Sequence, residues 1–473
     1  MHFRDSFNSK IGYILAAAGS AVGLGNIWRF PYLSAKYGGG IFLFTYLVLV
    51  LTFGYTLLIA ENGIGRMTGR GPIGAYRKLC KRKKSFLKSI RIGGYINSIV
   101  PLIITPYYCV IGGWITKYAL AMATTPIADF QKDHQVITAA GKTVSFSENF
   151  FNTFITGTWE PLLFFLIFVA LMVAVLVLGV KNGVERFNKI LMPILIILMI
   201  CICVYCLFLP NAGDGFVYYL KPDWSKFSYM TVVAAMGQLF FSLSIAMGIM
   251  ITYGSYMRKE DNLVSCVNHI EIFDTAAAFL AGLMIIPAVV AFGGREAAEN
   301  AGVGLVFITM PQVFAGFNGG TIFGVLFFIL VLFAASTSAI SILETNIQTI
   351  SQEFMLSRKK AIAIAVAEVV AIGTITILGY SVWSDVHPLG FIAGCQHFDI
   401  LDSLDFLSNS VLMPIGAIFT SILVVAVIGL EKFSKEIRGK HKWAREYVFQ
   451  LFMCVFIIPC LLVILLNAIG ILR

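Results

Sequence analysis

Charge is what this chain has least of. Only 13% of its 473 residues are Asp, Glu, Lys or Arg, about half the share of a soluble domain. With 58% hydrophobic residues and mean hydropathy +0.85, that scarcity excludes a disordered chain, a coiled coil and an ordinary soluble enzyme. The nine cysteines mostly sit in apolar runs, Cys201, Cys203 and Cys206 among them. They read as small core residues, with no disulfide framework and no metal site. No HExxH motif, no suitably placed GxSxG and no paired catalytic carboxylates occur, so an intramembrane enzyme finds no machinery here. His269, His387 and His397 lie near span ends and read as interfacial.

What is abundant is apolar length. Segments near 11–35, 41–62, 95–124, 161–179, 189–209, 229–256, 267–293, 321–353, 361–382, 406–430 and 446–471 are each apolar enough to cross a bilayer, which takes about 20 residues. Lipid cannot satisfy free backbone groups, so all eleven are predicted to be helices. The expected fold is therefore an all-α integral membrane protein of about eleven transmembrane helices. The N-terminus imitates a secretory signal, but its apolar pattern runs on through "NIWRFPYL" into the next span, which argues for a retained helix.

The net charge is +10, and its distribution predicts orientation. Arg66, Arg70, Arg77, Lys78, Lys81, Arg82, Lys83, Lys84, Lys88 and Arg91 form a block without acids, and the loops after the fourth, sixth, eighth and tenth spans are also basic. Alternate loops are poor in Lys and Arg and carry Asp129, Asp133, Asp214, Asp223, Asp385 and Asp399. The positive-inside rule then places the N-terminus in the cytoplasm and, after eleven spans, Arg473 outside, as expected of a cell-membrane protein. The basic loops read as neighbours of anionic membrane lipid and not as a nucleic-acid surface. Loop 125–160 is polar and expected to be ordered only in part. Loop 295–320 carries a short amphipathic helical pattern, either a lid over an outward cavity or a plain surface helix.

Two spans contain their own helix breakers. The first reads "AAAGSAVGLGNIWRFPY", where Gly19, Gly23 and Gly25 precede Asn26, Arg29 and Pro31. Close helix packing explains the glycines but not a polar and a charged group at membrane depth. The sixth, "GQLFFSLSIAMGIMITY", is interrupted by Ser242, Ser244 and Gly248. Interrupted helices in corresponding positions of two halves point to a transporter's central site. A broken helix offers N–H groups to a carboxylate at one half-helix end and carbonyls to a cation at the other.

The strings "AGSAVGLGNIWRFPY", "YYCVIGGW", "GQLFFSLS", "MGIMITYGSY", "AGLMIIPAVVAFGG" and "FAASTSAISILE" resemble the neurotransmitter:sodium symporter family, in particular its bacterial amino-acid transporters. The resemblance runs from about Arg4 to the end of the tenth span. It implies a single transporter domain over 1–473, built of two inverted five-helix repeats (1–209 and 229–430) with broken first and sixth helices and an extra helix at 446–471. It implies two sodium ions. One would be held by the Ala21 carbonyl, Asn26, Ser242 and Asp274 with the substrate carboxylate. The other would be held by the carbonyls of Gly19, Val22 and Ala334 and the hydroxyls of Thr337 and Ser338. The amino-acid carboxylate would meet the N–H groups of Leu24 and Gly25 and the Tyr108 hydroxyl, beside Ala21 and Ser242. Its ammonium would meet carbonyls around Phe241 and Ser244. Ser20, Ile104, Phe241, Met247, Ser338 and Ile342 would line a mostly apolar pocket, which implies a neutral, apolar or aromatic substrate. Arg29 and Asp405 match the family's outer gate, and Arg4 matches half of its inner one. The oligomeric state is not implied.

Departures from the family pattern sharpen these expectations. Relatives that carry monoamines have Asp where this chain has Gly23, so the substrate here must bring its own carboxylate. Many relatives have Asn where this chain has Asp274, and Ala278, one turn on, offers neither charge nor hydroxyl. Asp274 is expected to supply the fixed negative charge that otherwise calls for chloride. Left alone in a low-dielectric site after release, it is expected to take a proton on the return step. The usual acidic partner of Arg4 is replaced by Gln352, with Glu353 adjacent but about 100° away on a helix. Phe7 stands at the place of an aromatic plug. Gly183 and Pro193 frame "GVERFNKILMP"; a similar Gly-x9-Pro spacing in bacterial relatives permits the fifth span to unwind, and an ordinary static kink at the proline is the alternative. Ala246, in the sixth-span break, is expected to narrow the pocket. A proton-coupled carrier on the same scaffold and a transport-dead amino-acid sensor remain as alternatives.

Overall fold

The computed structural model describes residues 7–81, 83, 85–138, 142–300, 302–392 and 395–470. Arg4 and Arg473 lie outside them. Among the described residues, nine helices are long and apolar enough to cross a membrane, and ten if Lys10–Ala21 and Gly25–Lys36, bent by 44°, count as one span. The sixth apolar segment consists of two shorter helices, Tyr229–Ser242 and Ile249–Tyr256, on either side of a turn. The apolar segments are numbered below in sequence order.

The first, sixth and eighth spans make the core, with the third against them. Gly19, Gly23 and Ala16–Ala18 in the first span, and Ala334, Ala335 and Ala339 in the eighth (Gly320–Glu353), are small enough for backbones to approach. Small residues serve that purpose in lipid, where there is no hydrophobic drive between helices. The fourth (Trp159–Val177) and ninth (Arg358–Leu378) spans lie further out and expose Leu163, Ile167, Leu171, Ile364 and Ile375, as lipid-facing surfaces do.

The loops are more structured than their polarity suggests. Within 125–160, strand Gln135–Ile137 pairs antiparallel with Thr143–Ser145, and Phe146–Thr156 is helical. The seventh span kinks at Gly294 (φ 77°, ψ 178°), and a separate short helix continues from there to Asn300. Phe307, beyond it, is buried and edge-on to Trp28 of the first span at 6.3 Å. Around Phe307 this loop is thus packed onto the bent half of the first span and is not a plain surface element.

Cys203 and Cys206 stand at C-x-x-C spacing in the fifth span. Both are buried free thiols, and Cys203 donates to the Leu280 carbonyl at 3.2 Å. The expected unwinding between Gly183 and Pro193 is absent from this conformation. Val180–Glu185 is π-helical and leads directly into the α-helix Arg186–Leu207.

Candidate functional site: two broken helices around a small cavity

The first span stops at Ala21 because Val22 turns extended (φ −79°, ψ 92°), and it restarts two residues later. Gly23 is required there. A Cβ at Gly23 would sit 2.1 Å from Ser338 Oγ and 3.1 Å from the Tyr108 hydroxyl, so no side chain, an Asp included, fits this packing. Gly25 faces Phe241 in the same way, at 2.9 Å from its ring. The break in the sixth span is harsher. Ser244, Ala246 and Gly248 all have positive φ (53°, 59° and 72°). For Ser and Ala that conformation costs on the order of 1–3 kcal/mol each and persists only where surroundings over-determine it. Here they do. Ser244 Oγ donates to the Ser20 carbonyl at 2.9 Å, and the Ala246 N–H donates to Glu61 Oε1 at 2.7 Å.

Between the breaks lies a cavity. Eleven of the twelve residues expected around the amino acid line it, together with Gly23. Ser20, Ala21, Leu24 and Gly25 come from the first span, and Phe241, Ser244 and Met247 from the sixth. The third span contributes Ile104 and Tyr108, and the eighth Ser338 and Ile342. The Leu24 N–H points at the Tyr108 hydroxyl, 3.4 Å away. Two residues expected there are not among its lining: Ser242, whose hydroxyl donates to Asp274, and Ala246, whose N–H donates to Glu61. Only about 10 Å³ is open to a water-sized sphere, room for about one water, so the walls must part to admit an amino acid.

The oxygens expected to hold sodium form two groups. In the first, Asp274 Oδ1 accepts from Asn26 Nδ2 at 2.8 Å and from Ser242 Oγ at 2.6 Å, while Oδ2 accepts from the Tyr46 hydroxyl at 3.1 Å. Asn26 Oδ1 accepts the Gly23 N–H at 3.2 Å, which brings the first-span break to the same carboxylate. The Ala21 carbonyl belongs to the residue just before that break. In the second group, Thr337 Oγ1 lies 3.0 Å from the Ala334 carbonyl and 3.5 Å from that of Val22. Ser338 Oγ lies 3.4 Å from the Gly19 carbonyl and 2.9 Å from that of Ser20. Compact hard oxygens of this kind suit an alkali cation better than a transition metal.

Sequence reasoning missed three buried groups. Tyr46 completes the shell of Asp274, Gln238 ties the broken helices together by donating to the Gly25 carbonyl at 2.7 Å, and Glu61 holds the sixth-span break. Glu61 alone carried a signal, as an acid within an apolar segment.

The expected gates are arranged differently. No ion pair within 4.0 Å joins Arg29 to Asp405. Asp405 instead accepts from Tyr107 at 3.0 Å and from Asn409, while the Arg29 guanidinium lies over the Phe241 ring, 5.4 Å from its centre. A larger cavity of about 210 Å³ opens beside Arg29. On the inner side, Gln352 accepts the Gly71 N–H at 3.1 Å and Glu353 is paired with Arg77. Phe7 is buried edge-on among Tyr13, Tyr253 and Tyr256, with ring centres 5.6, 5.6 and 6.0 Å away.

This geometry has relatives. The chain is 34% identical over 467 residues to the sodium-dependent transporter YhdH of Bacillus subtilis, covering 98% of this chain and 97% of that protein. It is 32% identical over 446 residues to a sodium-dependent transporter of Methanocaldococcus jannaschii, covering 92% and 84%. Its fold superposes on the crystal structure of MhsT in complex with L-phenylalanine with a TM-score of 0.85, at 33% identity, covering 98% of this chain and 100% of that one. The family model of sodium:neurotransmitter symporters matches residues 4–471. A helical membrane protein with two broken spans around a polar-rimmed apolar cavity, matched along nearly its whole length, belongs to the sodium:neurotransmitter symporter family and is a transporter, not an enzyme.

Proposed function

We propose that this symporter carries a neutral, apolar or aromatic L-amino acid into the cell with two sodium ions and without chloride. The observation that carries this reading is Asp274, a wholly buried carboxylate aligned by Asn26, Ser242 and Tyr46 beside the cavity between the two breaks. It supplies within the chain the negative charge that a chloride ion would otherwise bring. The apolar lining from Ile104, Phe241, Met247 and Ile342 favours an uncharged side chain, and the bound L-phenylalanine of MhsT supports the same class. With no acid at Gly23, the zwitterion's own carboxylate faces the first-span N–H groups.

The N-terminus lies in the cytoplasm, by the basic loops. The two five-helix repeats rock about the central site, and Asp274 takes a proton when it returns empty. Two inward charges contribute about 4.6 kcal/mol at 100 mV, and tenfold sodium gradients add about 1.4 kcal/mol per ion. The sum of roughly 7 kcal/mol supports accumulation of about 10⁵-fold under tight coupling.

Uptake of labelled amino acids into proteoliposomes with sodium, lithium or choline outside tests the proposal. Sodium-driven uptake of an apolar or aromatic amino acid, unchanged when gluconate replaces chloride, is the expected result. Strict chloride dependence would overturn the role of Asp274. Sodium-independent uptake would favour proton coupling, and binding without flux would favour a sensor.

A further inference from the structure

A further oxygen faces the second group. Asn188 lies on the fifth helix and is wholly buried. Its Nδ2 donates to the Val184 carbonyl, one turn back, at 2.9 Å. That bond sets which way the amide points, so Oδ1 is the atom turned to the first span. A Cβ at Gly19 would fall 2.0 Å from Asn188 Oδ1 and 3.4 Å from Thr337 Cβ. The amide oxygen and Thr337 therefore flank the one spot that a side chain at position 19 would fill, and glycine leaves that spot open. The Gly19 carbonyl itself lies 3.4 Å from Ser338 Oγ.

Asn188 Oδ1 is buried and has no hydrogen-bond partner among the described residues. An amide oxygen can only accept, and a buried acceptor left unpaired is costly. The neighbouring hydroxyls do not relieve it. Thr337 gives its proton to the Ala334 carbonyl at 3.0 Å, and Ser338 gives its own to the Ser20 carbonyl at 2.9 Å. What the place lacks is positive charge. A hard cation is served by main-chain and carboxamide oxygens alike, and one ion would satisfy the carbonyls, the hydroxyl lone pairs and the amide together.

We propose that Asn188 is a further sodium ligand, an oxygen that the fifth helix adds to the second group, and that it favours sodium over the smaller lithium ion. The proposal rests on the two-sodium reading above and adds a residue to it. The number of ligands a site offers is one of the quantities that separate a larger ion from a smaller one of the same charge. An added oxygen suits the larger.

Equilibrium binding of labelled sodium to the full chain in detergent, with lithium as competitor, tests this without requiring flux. N188L keeps the branched shape of the side chain and removes its oxygen. The half-saturating sodium concentration is expected to rise about tenfold, and that of lithium by less than about threefold. N188D keeps an oxygen in place but gives up the donor to Val184, and it should bind sodium at least as tightly as the unaltered chain. Amino-acid affinity at saturating sodium should stay within about twofold in both variants, which a general loss of packing would not allow. Unchanged sodium affinity in N188L, the result if the oxygen meets only water, overturns the proposal. So does an N188D variant as weak as N188L, which would place the role in the bond to Val184. Equal losses for the two ions overturn the preference assigned to Asn188. If N188L does not fold, N188A takes its place with the same expectations. An unaltered chain that binds no sodium brings down the proposed function and this inference with it, whereas one that binds sodium no better than N188L brings down this inference alone.

Discussion

The two oxygen clusters beside the cavity differ in what holds them together. The first is built around a charge. Asp274 draws Asn26, Ser242 and Tyr46 onto one carboxylate, joining the first, second, sixth and seventh spans. The second has no charge at all. Its oxygens are four main-chain carbonyls, of Gly19, Ser20, Val22 and Ala334, and two hydroxyls, and those hydroxyls already donate to the Ala334 and Ser20 carbonyls. On the proposed reading, a cation leaving the first cluster would leave a buried carboxylate behind, whereas one leaving the second would leave ordinary hydrogen bonds in its place. The second cluster would then be the easier one to empty, and it adjoins the fifth helix at Gly19.

The largest expected effect breaks the charged cluster. Removing the carboxylate in D274A takes away the shared acceptor of three buried donors, of which Asn26 keeps the main-chain carbonyl of residue 274 and Tyr46 keeps the Ser242 hydroxyl, and each donor left unpaired costs about 1–3 kcal/mol. Sodium affinity should fall by at least about 100-fold, and sodium-driven uptake should fall to background, as read from uptake against sodium concentration. Next is G23A, whose methyl would meet Ser338 Oγ at 2.1 Å. Forcing the break off the eighth span costs roughly 1–3 kcal/mol, so amino-acid affinity should drop about tenfold or more in equilibrium binding. The neutral cluster should respond less. T337V keeps the shape and deletes one hydroxyl worth about 1 kcal/mol, which predicts a roughly fivefold higher KM for sodium with the same order of preferred amino acids. The smallest effect sharpens the contrast. Replacing chloride by gluconate should alter uptake by less than about twofold, because the charge of Asp274 is covalent and screening alone remains.

Much of the site was legible because its signals are local. Glycines, an Asn and an Arg inside one apolar run cannot be a plain span, and Ser242, Ser244 and Gly248 repeat the message in the sixth. The resemblance then named eleven of the residues that line the cavity. What stayed hidden involved partners far apart in the chain. Tyr46 reads as one more aromatic in an apolar helix, yet its hydroxyl reaches Asp274, 228 positions away. Gln238 looks like a tolerated polar residue until the Gly25 carbonyl is seen beside it. Arg29 and Asp405 match a paired gate in sequence, but in this conformation the acid is bonded to Tyr107 and Asn409 and makes no ion pair with the arginine. Ser242 donates to Asp274 and is not among the residues lining the cavity, a choice of side that its place in the sixth span does not reveal.

Composition and hydropathy by themselves determined that the chain lives in a bilayer, that its spans are helices and that two of them break. Those are consequences of solvation and of backbone hydrogen bonding, which act residue by residue. Only the tertiary structure decided which oxygens converge and at which glycines a neighbouring side chain comes close. Each residue turns a helix by about 100°, so the face a side chain presents depends on how neighbouring helices are rotated and docked, and no window of sequence records that.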